Sequence, residues 1–196
     1  MRELFSRACI FFIALFYFCS ISNENSGQLK TAEALFGKDY ETIVALIQES
    51  SAVYGDETGW RMDGKHWFLW VFVSQTAIRY LIEDTRGKGV AEKALGKKED
   101  RVIISDGYAG YQNLPGEKQQ CWVHLLRVAK IHSLPLYEDL IFLYKKLLLE
   151  LEKKKGEREK TTFEKALAVL MMKIYPQPEA TKVQMRMSRH AHVLFT

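Results

Sequence analysis

The sequence predicts an α/β fold in which a mixed sheet is flanked by helices. Runs of β-branched and aromatic residues at 66–74, 77–84 and 100–106 are typical of buried strands. Apolar residues at three- and four-residue intervals precede these runs and dominate after Val123, as expected for amphipathic helices. With 196 residues and 47% hydrophobic composition, the chain is long enough for one substantial core, so one domain with appendages is expected.

The charge and the cysteines exclude several classes of protein. The net charge of +4 permits a phosphate-rich partner but does not require one. Cys9, Cys19 and Cys121 have no CxxC spacing, which argues against a disulfide framework and against a zinc ribbon. A reducing, cytoplasmic location is therefore expected.

Residues 1–29 are interpreted as an apolar leader followed by a linker. Arg2 and Arg7 precede the apolar run Ala8–Ile21, a pattern that fits a signal-peptide core, a buried helix or a disturbed reading frame. The run is shorter than the roughly 20 apolar residues of a membrane-spanning helix. We therefore do not expect the protein to act at a membrane.

The remaining elements follow from residue 31 onward. Two short helical pieces interrupted by Gly37 are predicted between Thr31 and Ser50, because the apolar spacing breaks at the glycine. Strands are predicted at Ser51–Asp56, His66–Ser74 (buried on both faces), Ala77–Asp84, Asp100–Asp106 and Glu117–Trp122. Helices are predicted at Gly87–Leu95, from Val123, over Leu136–Glu152 and Phe163–Tyr175, and from Glu179.

Two aspartates carry the candidate chemistry. Asp56 and Asp106 end the first and fourth predicted strands, where they could share a divalent cation at one edge of the sheet. Carboxylates suit Mg²⁺ or Mn²⁺, and two such ions about 4 Å apart can drive phosphodiester displacement. The alternative is that strand-end acids cap a helix or accept hydrogen bonds in a turn. The spacing alone leaves both interpretations open.

Three sequence blocks bear on whether the two aspartates bind metal or have a structural role. They are GDETGWRMDGKHWFLWVFVS at 55–74, SDGYAGYQNLPGEKQQCWVHLLR at 105–127, and ATKVQMRMSRHAHVLFT at the end. They resemble the insertion-sequence-66-type transposases, over roughly residue 30 to the end. The resemblance implies an RNase H-like fold on which Asp56 and Asp106 are the first two acids of a DDE triad. It also implies metal-dependent cutting of transposon ends, transfer of the freed 3′-hydroxyl to target DNA, and a homo-oligomer in the complete protein.

The sequence departs from that family at both ends. The family's third acid is a glutamate in an NNxxE motif after a helical insertion, and this motif does not occur in the chain. The apolar leader stands where the family has a zinc-binding and helix-turn-helix region. We therefore expect a fragment truncated at both ends, with a partial catalytic core at 30–135 and a truncated helical insertion at 136–196. Such a fragment is expected to be inactive alone; the alternative is a non-catalytic DNA-binding or oligomerising remnant that interferes with a full-length transposase.

Other candidate residues are weighed against structural roles. Arg61 could contact DNA phosphate, and Trp60 beside it could stack on a base or belong to the core. The resemblance places His124 and Arg127 near the active-site edge, on one face of a helix. Glu138, Asp139 and Glu150 are expected on solvated helical faces rather than as a third metal ligand, and His190 with His192 is not expected to bind metal.

Overall fold

The protein is described by a computed structural model covering residues 26–62 and 64–195. Of the leader and linker interpreted at 1–29, residues 1–25 lie outside the described residues, and with them the apolar run Ala8–Ile21. A five-stranded mixed sheet forms the centre: β1 (Ala52–Met62), β2 (Lys65–Val73), β3 (Ile78–Glu83), β4 (Val102–Ser105) and β5 (Glu117–Gln120). The strand order is β3-β2-β1-β4-β5. The first three strands form an antiparallel meander, and β4 and β5 add in parallel on the other side of β1. This confirms the predicted α/β, RNase H-like architecture.

Six helices accompany the sheet in the described part of the chain. They are α1 (Ser26–Glu49), α2 (Lys88–Leu95), α3 (Trp122–His132), α4 (Leu134–Leu151), α5 (Lys160–Met172) and α6 (Ala180–His190). Short 3₁₀ turns lie at Ala109–Tyr111, Lys155–Glu157 and Ala191–Val193. No helix among the described residues has the length and apolar character needed to cross a membrane.

The prediction of two helical pieces around Gly37 is wrong, because α1 is continuous from Ser26 to Glu49. It also begins inside the segment that was interpreted as a linker. A glycine within a helix costs only about 1 kcal/mol relative to alanine, so one glycine does not end a helix of 24 residues.

The apolar side chains form two clusters. One lies between the sheet and helices α1 and α2, and it includes Trp70, Phe72, Ile103 and Tyr111, each at most 1% exposed. The other joins α3 to α6 and includes Trp122, Leu125, Leu136, Leu140, Leu167, Val183, Met187 and Leu194. The second cluster, as far as the structure describes it, contains no strand residue. Contacts of Arg186 with Asp106 and of His124 with Asp56 join these helices to the edge of the sheet.

Strand β1 is longer than predicted, which changes the setting of the first acid. The prediction ended the strand at Asp56, but residues 57–62 continue as a ladder with β2 that runs from Glu57–Trp70 to Met62–Lys65. Their polar side chains and Gly59 resemble a turn in sequence, whereas pairing to the strongly apolar β2 keeps them extended. The reversal comes only at Gly64, whose φ of +74° suits glycine. Asp56 therefore lies within a strand, and the prediction that it ends one is wrong.

Two smaller expectations also change. Strand β2 is not buried on both faces along its length, because only Trp70 and Phe72 are fully buried and the flanking residues are partly exposed. Trp122 is not part of β5 but begins α3. Its indole Nε1 donates a buried hydrogen bond of 3.0 Å to the carbonyl of Leu194. This bond joins the start and the end of residues 122–194, which we call the helical region.

Candidate active site

The parallel pairing of β1 with β4 brings the two candidate acids together. Each paired residue of β1 lies opposite the residue 50 positions later, from Ala52–Val102 to Tyr54–Ile104. Continuing this register by two residues sets Asp106 level with Asp56, on strands that lie about 4.8 Å apart. Asp106 follows directly after β4, and Asp56 lies just beyond the last parallel pair, where β1 leaves β4. The two carboxylates thus share one edge of the parallel part of the sheet, although only one of them ends a strand.

The turn that carries Asp106 is fixed by several hydrogen bonds. Its carboxylate Oδ1 accepts from the backbone N–H of Tyr108 at 2.8 Å. Its carbonyl accepts from Gln120 Nε2 at 2.9 Å and from Arg186 Nη2 at 2.5 Å. Gly107 follows with φ of +89°, a conformation that L side chains rarely adopt. Helix α6 therefore supports the turn, although Arg186 lies 80 residues away in sequence.

Asp56 faces the first turn of α3. Its Oδ2 lies 3.6 Å from His124 Nε2, which is too long for a hydrogen bond but close enough for an ionic contact when the imidazole is protonated. The Asp56 side chain is 50% exposed, so it remains open to a ligand from solvent. Among the described residues, the buried Nδ1 of His124 has no hydrogen-bond partner. The structure thus brings His124 beside Asp56.

The two candidate arginines lie at different distances from this edge. Arg127 is exposed and lies one helical turn after His124, on the same face of α3. Arg61 is also exposed, but it lies five residues beyond Asp56 near the tip of the β1–β2 hairpin, roughly 17 Å along the strand. The structure therefore places Arg127 on the helix that carries His124, and it leaves Arg61 apart from the two acids.

A third carboxylate near the site was not anticipated from the sequence. The Glu57 side chain is only 2% exposed, and its Oε1 accepts hydrogen bonds from Arg86 Nε at 2.9 Å and Nη2 at 2.5 Å. Its Oε2 accepts from the Tyr111 hydroxyl at 3.0 Å. Burial raises the pKa of Glu57, and the hydrogen bonds from Arg86 and Tyr111 oppose that rise. No local signal identified these partners, which lie 29 and 54 residues further along the chain.

The acidic groups at this edge act together on the hydroxyl of Tyr111. Burial raises the pKa of the Tyr111 hydroxyl strongly, and the charges of Glu57, Asp56 and Asp106 raise it further. On the other side of the Asp106 turn, burial lowers the pKa of His190, and the positive charge of Arg186 adds to this effect. Negative charge is therefore concentrated at this edge, and α6 brings positive charge to its border.

The donor set suits part of a divalent-cation site. Carboxylate oxygens are the hard ligands that Mg²⁺ and Mn²⁺ prefer, and Asp56 and Asp106 supply two carboxylates at one edge. The described residues contain no group of three histidine, cysteine or acidic side chains that could hold a metal ion. Two of the three acids predicted on helical faces make contacts elsewhere: Asp139 with Lys173 at 2.6 Å, and Glu150 with Lys153 at 2.9 Å.

Comparison with known proteins assigns the chain to one family. The family model described as Transposase IS66 family matches residues 26–192, and the chain therefore belongs to this transposase family. No curated protein matches the chain significantly.

Several solved structures match the chain at low similarity. The catalytic core domain of HTLV-2 integrase in complex with magnesium is 13% identical, with a TM-score of 0.29 and coverage of 71% of this chain and 97% of that one. The catalytic domain of Mos1 mariner transposase is 13% identical, with a TM-score of 0.27 and coverage of 88% and 93%. A simian T-cell lymphotropic virus intasome in complex with a PP2A regulatory subunit is 13% identical, with a TM-score of 0.32. The match covers 70% of this chain and 55% of the intasome chain.

Proposed function

We propose that this chain is part of a DDE transposase and that Asp56 and Asp106 are two of the three carboxylates that bind catalytic Mg²⁺ or Mn²⁺. The observation that carries the proposal is the parallel register of β1 against β4, which, continued by two residues, brings Asp106 level with Asp56. Membership of the transposase family supplies the reaction class. The DNA substrate, the homo-oligomer of the complete protein and its cytoplasmic location belong to the same proposal.

The chemistry is phosphodiester displacement in two steps. Water first attacks a phosphodiester at the transposon end and releases a 3′-hydroxyl, and that hydroxyl then attacks a phosphodiester of the target strand. When bound, the metal ions activate the attacking oxygen and stabilise the leaving one. Asp56 and Asp106 contribute carboxylate ligands, and the hydrogen bond from the Tyr108 N–H orients the Asp106 carboxylate.

Residues around the two acids support DNA binding. Arg127 is exposed on the helical face that carries His124, so its guanidinium can pair with a backbone phosphate beside the site. Arg61 would contact DNA further out, at the hairpin tip. His124 lies too far from Asp56 for a hydrogen bond in this structure, but a small approach would let it orient that carboxylate. We assign His124 the role of a positioning residue rather than a metal ligand.

The acids can be tested by metal binding, since that does not require turnover. We expect weak Mn²⁺ binding, measured by the loss of the free-ion signal in electron paramagnetic resonance, which Asp56→Asn and Asp106→Asn each reduce. Asp139→Asn is the matched control, because Asp139 is a carboxylate with a lysine partner in the helical region. Equal Mn²⁺ binding by the wild-type chain and by Asp106→Asn would refute the assignment.

We propose further that the chain alone does not cut DNA, because its described residues offer no third acid to complete the ligand set. The purified chain should show no Mn²⁺-dependent nicking of DNA that carries transposon ends. Nicking that disappears in Asp56→Asn would overturn this expectation.

The second candidate function is a non-catalytic remnant that binds DNA or oligomerises and so interferes with a full-length transposase. It is favoured by the helical region, whose exposed apolar residues include Ile131, Phe142 and Ile174. Co-expression separates the two functions, because a remnant lowers the transposition frequency even when both of its aspartates are replaced.

A further inference from the structure

Glu57 is buried behind the two aspartates and is paired with Arg86, whose side chain is 44% exposed. Neither a ligand role nor packing alone explains this pairing. Removing a carboxylate from water is costly unless it is paired and hydrogen-bonded, as Glu57 is by Arg86 and Tyr111. Groups buried in this way are retained in some proteins because they specify one geometry. The contacts of this pair indicate which geometry it specifies.

Glu57 does not complete the metal site, because it lies on the other face of β1. Consecutive strand residues point to opposite sides of a sheet. Asp56 faces His124 on α3, whereas Glu57 faces Tyr111 in the core between the sheet and α1 and α2. Both oxygens of Glu57 are also engaged, Oε1 by Arg86 and Oε2 by Tyr111. The carboxylate therefore acts through other residues.

Arg86 connects Glu57 to the turn that carries the second acid. Its guanidinium carbon lies 4.0 Å from the ring centroid of Tyr108, and its carbonyl accepts a hydrogen bond of 2.6 Å from the Tyr108 hydroxyl. The backbone N–H of the same tyrosine donates to Asp106 Oδ1 at 2.8 Å. A continuous set of contacts thus runs from Glu57 through Arg86 and Tyr108 to Asp106.

Tyr111 provides a second connection between the same two segments. Its hydroxyl donates to Glu57, and its ring packs edge-on against Tyr108 at 6.2 Å between centroids. Tyr111 has no exposed surface, so it cannot move without disturbing the core. The two connections fix the Asp106 turn to the strand residue that immediately follows Asp56.

We propose that Glu57 and Arg86 are positioning residues that hold the carboxylate of Asp106 in register with that of Asp56, so that metal affinity at the two aspartates depends on this pair. The inference rests on the proposed function for its metal, but the positioning of Asp106 can be measured without one. It assigns a task to the glutamate that follows the first acid of the site, and to an arginine 29 residues further along the chain.

The first experiment compares Mn²⁺ affinity in Glu57→Gln with that in the wild-type chain and in Asp139→Asn. Glutamine keeps the size of the side chain but removes the charge that holds Arg86. Asp139→Asn is closely matched, because Asp139 also accepts from a cation, Lys173, and from a tyrosine hydroxyl, that of Tyr175. Residues that orient metal ligands typically change affinity 10- to 100-fold, so we expect about a tenfold loss for Glu57→Gln and no change for Asp139→Asn.

The second experiment measures amide hydrogen exchange at Tyr108 in the metal-free chain. The N–H of Tyr108 donates to Asp106, and loss of one such hydrogen bond corresponds to about a tenfold change in an opening equilibrium. Loss of positioning should therefore speed exchange at this amide by about tenfold in Glu57→Gln relative to Asp139→Asn. If Glu57→Gln does not fold, Tyr108→Phe takes its place. It removes only the hydroxyl that contacts Arg86 and keeps the ring on which the guanidinium packs.

The outcomes separate this inference from the proposed function. If Asp106→Asn loses Mn²⁺ binding but Glu57→Gln does not, the metal site stands and the positioning role is refuted. If Asp106→Asn binds Mn²⁺ as the wild-type chain does, the proposed metal site fails, and amide exchange alone decides the positioning role. Faster exchange at Tyr108 in Glu57→Gln then supports the role, and unchanged exchange overturns it.

Discussion

Replacing Gly107 with alanine should destabilise the protein through two separable effects. Its φ of +89° is unfavourable for any L side chain, at about 1–2 kcal/mol. A Cβ atom there would also lie 2.7 Å from Gln120 Oε1 and 3.3 Å from His190 Cε1. Gln120 is 3% exposed and donates to the carbonyl of Asp106, so it cannot move aside freely. Overpacking of this kind typically costs about 1–3 kcal/mol, giving a total loss of about 2–5 kcal/mol.

Gly64→Ala isolates the backbone contribution. Gly64 has a similar φ of +74°, but a Cβ atom there would have nothing within 4 Å. We expect this variant to lose only about 1–2 kcal/mol. The assay is urea denaturation followed by circular dichroism. The free energies of unfolding are compared between proteins whose unfolding free energy has the same slope against urea concentration. Equal losses in the two variants would show that the packing of Gln120 and His190 around the Asp106 turn is not as tight as described.

Two further predictions concern the helical region. Partial burial acts to raise the pKa of Asp139, but hydrogen bonds from Lys173 and Tyr175 outweigh it and hold the pKa below its usual value. The stability that Asp139 contributes is therefore present above the ordinary aspartate pKa of about 3.9 and lost as the pH falls through the lower folded-state pKa. Asp139→Asn should reduce the acid sensitivity of the unfolding free energy, and an unchanged pH profile would contradict this. Trp122→Phe should cost about 1–3 kcal/mol in urea denaturation, because it leaves the buried carbonyl of Leu194 without its donor. A loss below 0.5 kcal/mol, about half the net value of an ordinary hydrogen bond, would indicate that water replaces the indole.

The sequence predicted most of the sheet and the family because their signals are local. Apolar runs identified β2, β3 and β4 to within a few residues, and the motifs around Asp56 and Asp106 identified the family. The extension of β1 was missed because residues 57–62 are extended only through their pairing with β2. A polar, glycine-containing segment has no local property that separates it from a turn.

The surroundings of the site were missed because they depend on contacts distant in sequence. Arg86 and Tyr111 contact Glu57 across 29 and 54 residues of sequence, and Arg186 contacts Asp106 across 80 residues. Sequence periodicity places such residues on a helix face or a strand face, but it does not say which distant residue that face will contact. Residues that support a site are therefore harder to predict than the residues that form it.

The hydrogen bond between Trp122 and Leu194 gives the helical region the geometry of an insert. A segment whose first residue contacts its last can change in length between those points while its two ends stay together. The residues that border the acids come from these two ends. His124 lies in the first turn of the segment, and α6 is its last α-helix. The middle of the helical region could therefore be shortened, lengthened or exchanged while the edge of the sheet keeps its neighbours, which makes this region a suitable place to attach new binding surfaces.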